Sequence, residues 1–244
     1  MRPLVTAVGL LLGWEGLVWL TGAPPYILPP PSRVLTVLIE RLDLLLAEAL
    51  WTAAEMLIGL LLGLALGAAL AVAFAASAGW RRWALPLVVA SQAIPVIAIA
   101  PLLVLWLGYG MASKVAMAAL VIFFPVVSTL YDGLRRTDQG WLDLARTMDA
   151  NPRAILLQIR LPAALPALAS GARIAAAVAP IGAVIGEWVG ASAGLGYLMT
   201  LSLARGQTPL AFAALVVLCL LGLALYHATD RAARRLVPWQ SQGE

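Results

Sequence analysis

Apolar residues run along this chain in stretches as long as a bilayer core requires, separated by short polar interruptions. The first, residues 4–20, has about the minimum spanning length, with Arg2 before it and Glu15 inside it. A signal peptide also has a run of this kind. A charge within the core is unusual for one, however, and Pro24 follows the only small-residue site, Thr21-Gly22-Ala23, so an uncleaved first helix is favoured. Pro24, Pro25, Pro29, Pro30 and Pro31 predict an extended connector. Ser32 then suits the cap of a helix over 33–49. There Val34, Leu35, Leu38, Leu42, Leu45 and Leu46 recur at helical spacing opposite Arg33, Glu40, Arg41 and Asp43, the pattern of an interfacial amphipathic helix.

The second span covers 50–78, about 43 Å as a helix, which exceeds a hydrocarbon core of about 30 Å and implies tilt or protrusion. Gly59, Gly63 and Gly67 share one stripe of it, so another helix can approach closely. A third span over 84–107 is interrupted by Pro86, Pro95 and Pro101. Such breaks free backbone carbonyls inside the bilayer and are tolerated beside neighbouring helices or a cavity, which makes 91–101 a candidate path lining. Gly108-Tyr109-Gly110 forms the turn into a fourth span over 112–131, and a fifth over 163–189 carries Arg173 and Glu187. Residues 190–208 read as a loop or short re-entrant piece, and 209–226 as the sixth span.

Composition agrees with this pattern: 62% of residues are hydrophobic and 11% charged, about half the charge of an ordinary soluble protein. The fold expected is all-α, a polytopic membrane protein forming a single domain over 1–244. Charge sets its orientation. With six spans, Arg2, Arg81, Arg82, Arg135, Arg136, Arg146, Arg153, Arg160, Arg231, Arg234 and Arg235 share one side, and Arg33, Arg41, Lys114 and Arg205 face the other. The positive-inside rule makes the first side, with both termini, cytoplasmic. The net charge of +4 therefore reflects orientation in a plasma membrane and not nucleic-acid binding.

Several chemistries lack their residues. One cysteine, Cys219, and one histidine, His227, exclude disulfides and Cys/His metal sites. The single lysine, in Ala112-Ser113-Lys114-Val115, is not in a phosphate-binding loop, and no G-x-S-x-G elbow or paired zinc histidines occur. Glu15, Glu55 and Glu187 lie near span ends or beside Trp14, Trp51 and Trp188, where a carboxylate reaches the interface. No catalytic residue is expected.

The polar island of 138–162 is the exception to the apolar pattern. Leu142, Ala145 and Met148 fall on one face of a short helix over 138–150, and Asn151-Pro152 is a strong start signal for a second helix to about Arg160. Pro162 ends that helix by restricting Leu161. A helix-turn-helix hairpin and a plain solvated link between spans are both compatible with amphipathicity alone.

The spacing Asp143-x-Ala145, three residues, Asp149, nine residues, Ile159-x-Leu161-Pro162 closely resembles the EAA signature of ABC-importer permeases, with aspartate replacing the family's glutamate at 143 and glycine at 149. Trp14-Glu15, Pro29-Pro30-Pro31-Ser32, Trp106-Leu107-Gly108-Tyr109-Gly110, Lys114, Phe123-Phe124-Pro125, Gly186-Glu187-Trp188-Val189-Gly190 and Gly194-Leu195-Gly196-Tyr197-Leu198 are similar to the branch importing nitrate, sulfonates, taurine and thiamine-precursor pyrimidines. Ser91-Gln92-Ala93-Ile94-Pro95 is most similar to permeases for pyrimidine or related vitamin precursors.

The resemblance implies a type I importer permease whose coupling helix docks on a cytoplasmic ABC ATPase dimer through Asp143, Ala145, Arg146, Met148, Asp149, Ala150, Ile159, Leu161 and Pro162. It implies ATP-Mg on that ATPase and no cofactor on this chain, a second permease copy, and a periplasmic or lipoprotein substrate-binding protein. Glycine at 149 would permit a left-handed turn between the helices; aspartate enters that region more readily than most residues. Gln92, Pro95 and Glu187 are expected near the translocation path, although Gln92 also suits an interhelical hydrogen bond and Glu187 an interface-anchored carboxylate. A stand-alone channel or ion-coupled carrier is the alternative function, and it would need no ATPase.

Overall fold

In the computed structural model, which describes residues 2–239, every regular element is helical. In chain order these are α1 (Arg2–Thr21), α2 (Pro31–Glu40), α3 (Leu42–Ala76), α4 (Ala78–Ser91), α5 (Val96–Leu107), α6 (Met111–Arg135), α7 (Gln139–Thr147), α8 (Pro152–Gly190), α9 (Leu195–Ala204) and α10 (Thr208–Leu236). Among the described residues, α3, α6, α8 and α10 are long and apolar enough to cross a membrane, and the bent pair α4–α5 makes a fifth crossing if counted as one. The side chain of Arg2 and the two chain ends, both assigned above to the cytoplasmic side, lie outside the described residues.

Helix α6 is the centre of the bundle, flanked by α3 and α8. A methyl group added at Gly59 of α3 would sit 2.5 Å from Ala118 Cβ, one at Gly63 would overlap Ile122, and one at Gly67 would lie 2.8 Å from the Phe123 carbonyl oxygen. From the other side, Gly182 of α8 faces Ala118 Cα, at 2.6 Å from such a methyl, and Gly186 faces Lys114 Cα at 3.0 Å. Both glycine sets therefore press α6 backbone to backbone. In a bilayer, where lipid is as apolar as leucine, this contact is the main attraction available. Phe74 and Tyr131 lock α3 to α6 edge to face, with ring centroids 5.9 Å apart, and Arg173 of α8 pairs with Asp230 of α10 at 2.7 Å.

Five local expectations change. The helix expected over 33–49 breaks at Arg41, and its second half joins the following helix into the 35 residues of α3. Ser32 is no cap, because the helix begins at Pro31; its amide and hydroxyl instead donate to the two carboxylate oxygens of Glu15, at 3.0 and 2.8 Å. The proline connector is not extended throughout, since Ile27 N–H donates to the Pro24 carbonyl at 2.8 Å. Pro25 there takes the turn position that its fixed φ favours. Residues 84–107 are two helices bent by 102°, broken at 92–95, while Pro86 and Pro101 lie inside their helices.

The fifth change bears on the polar island. Its second helix does not stop before Pro162. Residues Ile155–Arg160 form a π-helical stretch, in which Leu161 N–H donates to the Leu156 carbonyl, and the chain continues unbroken to Gly190. The wider turn accommodates a ring that would otherwise collide with the carbonyl four residues back.

Filling the glycine contact should separate the central helices. Gly182→Val is expected to cost about 1–3 kcal/mol, the usual range for overpacking, read as a lowered thermal midpoint in detergent. Gly13→Val, with nothing within 4 Å of its added carbon, should leave that midpoint unchanged.

Candidate functional site

The polar island folds as a hairpin whose turn is fully specified by backbone hydrogen bonds. Asp138 caps α7, its Oδ1 accepting from Gly140 N–H at 2.7 Å and Trp141 N–H at 3.3 Å. At the other end, Asp149 N–H donates to the Arg146 carbonyl and Ala150 N–H to the Ala145 carbonyl, each at 3.0 Å. This pairing is a Schellman motif, which demands a left-handed residue just after the cap. Asp149 takes that position with φ +54°, the one non-glycine with positive φ among the described residues. Asn151 immediately caps α8, its Oδ1 accepting from Ala154 N–H at 2.7 Å.

The hairpin turns an apolar surface outward. Leu142 and Ala145 are buried. Met148, expected on their face, is instead 74% exposed, because it is the cap residue where the chain leaves the helix. With Trp141 at 57% and Leu144 at 62% exposure, it borders a groove of about 600 Å³ that also contacts Ala145, Ala150, Ile159, Pro162 and Trp239. Asp143 and Arg146 form an exposed ion pair at 2.7 Å, of a kind that contributes about 0–1 kcal/mol and so leaves both side chains free to exchange partners. Behind the groove, Leu156 and Leu161 pack into the cluster of Phe74, Leu130, Tyr131 and Leu134, joining the hairpin to α3 and α6.

Of the three residues expected near a path, two share one bend and the third is enclosed among helices. Gln92 and Pro95 are exposed at the α4–α5 bend, where Gln92 Nε2 donates to Ser91 Oγ at 3.3 Å. Glu187 is 1% exposed and enclosed by α3 and α9, which also overturns its reading as an interface-anchored carboxylate. Its Oε1 accepts from Thr52 Oγ1 at 2.6 Å and its Oε2 from Gly196 N–H. Thr52 Oγ1 in turn accepts from Leu195 N–H at 2.8 Å, and Glu48 Oε2 accepts from Gly194 N–H at 2.5 Å. Three successive amides opening α9 are thus held by side chains of other helices. The 190–208 segment, read as a loop or re-entrant piece, contains this ten-residue helix.

Sequence reading passed over Glu48 and Thr52, although Glu48, Thr52 and Glu55 recur at helical spacing in an otherwise apolar stretch. Glu55, also expected at the interface, is 2% exposed. Lys114 is buried as well, donating to the carbonyls of Tyr109 at 2.8 Å and Gly110 at 3.1 Å.

Residues 58–242 match the family described as binding-protein-dependent transport system inner membrane component. A probable ABC transporter permease protein of Haemophilus influenzae is 50% identical over 97% of both chains. The riboflavin transport system permease protein RibX of Chloroflexus aurantiacus is 42% identical over 97% of this chain and 89% of its own. The formylaminopyrimidine transport permease protein ThiX of Halalkalibacterium halodurans is 37% identical over 99% of this chain and 97% of its own. In fold, the chain superposes on an inward-facing structure of the MetNI methionine ABC transporter with a TM-score of 0.64 at 22% identity, covering 82% of this chain and 98% of that one. The chain belongs to the binding-protein-dependent transport system inner membrane component family: it is the permease of an ABC importer, a membrane translocation subunit rather than an enzyme.

Proposed function

We propose that two copies of this permease form the path for a pyrimidine-containing vitamin or vitamin precursor, delivered by an external binding protein and driven by a cytoplasmic ABC ATPase dimer that holds ATP-Mg. The substrate class rests on similarity to proteins named for formylaminopyrimidine and riboflavin transport, whose named solutes share a pyrimidine-type ring. The chain crosses the membrane six times in this reading, with α1 and the bent α4–α5 pair each counted as one crossing and both termini in the cytoplasm.

One observation carries the coupling role: an exposed apolar face on a short helix, fixed by its turn, stands at the start of a 39-residue helix that runs unbroken through the bundle. Docking in an ATPase cleft would cover Trp141, Leu144 and Met148. Asp143 and Arg146, paired only at the surface, are then available to the partner. Closure of the ATPase pushes on the hairpin, and the push reaches α3 and α6 through Leu156 and Leu161 as a rigid-body shift of packed helices. Gln92 and Pro95 lie on the bend that such a shift would move against the path.

Vesicles containing the permease with its ATPase and binding protein should take up substrate only with ATP. Uptake by the purified permease alone would instead establish a channel or ion-coupled carrier. Ala145→Glu should leave ATP hydrolysis running while uptake falls, because the substitution forces a charge into the packed side of α7.

Position 149 gives a graded test. A β-branched residue in the left-handed region costs about 1–2 kcal/mol, so Asp149→Val should lower uptake roughly tenfold, the equivalent of about 1.4 kcal/mol. Asp149→Gly, which favours the turn, should match or exceed the parent. Equal uptake by the two variants would remove the turn from the coupling mechanism.

A further inference from the structure

We propose that Thr52 is the positioning residue for α9: its single hydroxyl pins the start of α9 to α3 and lets go of α8 when those two helices shift apart. The inference rests on the proposed transport cycle, in which packed helices move against one another, and names the residue through which that movement reaches α9.

Thr52 is fully buried. Its Oγ1 donates to Glu187 Oε1 of α8 at 2.6 Å and accepts from Leu195 N–H of α9 at 2.8 Å. A hydroxyl has one hydrogen to give and lone pairs to receive with, so one atom of α3 spends its donor on α8 and an acceptor site on α9. Glu48, one turn earlier on α3, accepts from Gly194 N–H at 2.5 Å, and Glu187 accepts from Gly196 N–H. Two of the three amides that open α9 are therefore held by α3 and one by α8. The fit leaves no slack, because a methyl group added at Gly194 or Gly196 would collide with the Glu187 carboxyl.

The same hydroxyl has a second acceptor on its own helix. The Glu48 carbonyl lies 3.4 Å from Thr52 Oγ1, and it is the carbonyl four residues back that a helical threonine can use. At 2.6 Å the bond to Glu187 is much the better of the two, since 3.4 Å is near the outer limit for such a contact. When α8 draws away from α3, rotation of the hydroxyl hydrogen carries the donor to the Glu48 carbonyl. No buried donor is then stranded among apolar helices, where it has no water to turn to. The lone pairs of Oγ1 keep the Leu195 amide throughout. With the larger share of its bonds on α3, the opening of α9 travels with α3 and parts from Glu187.

Amide exchange at Gly194, Leu195 and Gly196, read with and without ATP in the complete complex in lipid nanodiscs, tests the release, and uptake into vesicles tests its use. In the parent, ATP should speed exchange at Gly196, the amide held by α8, and leave Gly194 and Leu195 slow. Equal change at all three amides, or change at none, would overturn the release. Thr52→Val keeps the shape and removes the hydroxyl, so exchange at Leu195 should rise roughly tenfold, the scale of one buried hydrogen bond. ATP-driven uptake should fall by a similar factor while ATP hydrolysis continues. Thr52→Ser, which keeps the hydroxyl, should restore both. Uptake by Thr52→Val equal to the parent, or a Thr52→Ser variant as impaired as Thr52→Val, would overturn the role of the hydroxyl, the second result by making Thr52 a packing residue. The nucleotide comparison needs no substitution and stands even where Thr52→Val does not fold. Parent uptake without ATP would instead overturn the proposed ATP-driven cycle, a failure separate from the comparison of the two variants with the parent.

Discussion

The close approach of α6 to α3 and α8 is the contact on which the rest of this protein depends. Lipid removes the solvent penalty that drives helices together in water, so association rests on backbone proximity and dispersion. Gly59, Gly63 and Gly67 on one side and Gly182 and Gly186 on the other supply that proximity, and Ala118 is met from both. A slab of three tightly joined helices results. Its two ends carry different polar devices, the α7 hairpin at one and the amides of α9 at the other.

Rigidity of the slab gives the hairpin a mechanical meaning. Had α8 ended at Pro162, the hairpin would be joined to the bundle by a flexible link, and force on it would be lost in the link. The π-helical stretch at Ile155–Arg160 admits the proline without a break, and Leu156 and Leu161 root the helix against Phe74, Tyr131 and Leu134. At the opposite end, the opening of α9 is held by Glu48, Thr52 and Glu187. The segment is thereby tied to α3 and α8 despite its glycine-rich approach, and a shift between those two helices necessarily reaches it.

Much of this was legible in the sequence, because the signals were local. Apolar run lengths located the long helices, the Gly59 stripe announced a close helix neighbour, and the spacing from Asp143 to Pro162 pointed to the family. Aspartate's tolerance of the left-handed region matched the conformation of Asp149. What failed depended on context. Pro162 reads as a terminator unless the preceding turn widens, and Ser32 reads as a cap unless Glu15, seventeen residues earlier, is known to reach it. Glu55 and Glu187 beside tryptophans resemble interface anchors; only the packing of α3 against α8 and α9 shows that they are enclosed. Long-range pairing between residues more than a hundred positions apart leaves no mark in a single sequence.

The central claim is that the hairpin bears on the ATPase. Disulfide cross-linking tests it most directly, in membranes holding the complete complex, with Met148→Cys introduced on a Cys219→Ser background and a single cysteine in the ATPase cleft. The account predicts a cross-link from position 148 that changes in yield with nucleotide, and none from a cysteine replacing Leu35, another exposed residue, at the opposite end. A cross-link from neither position, or the same yield from both, would contradict it.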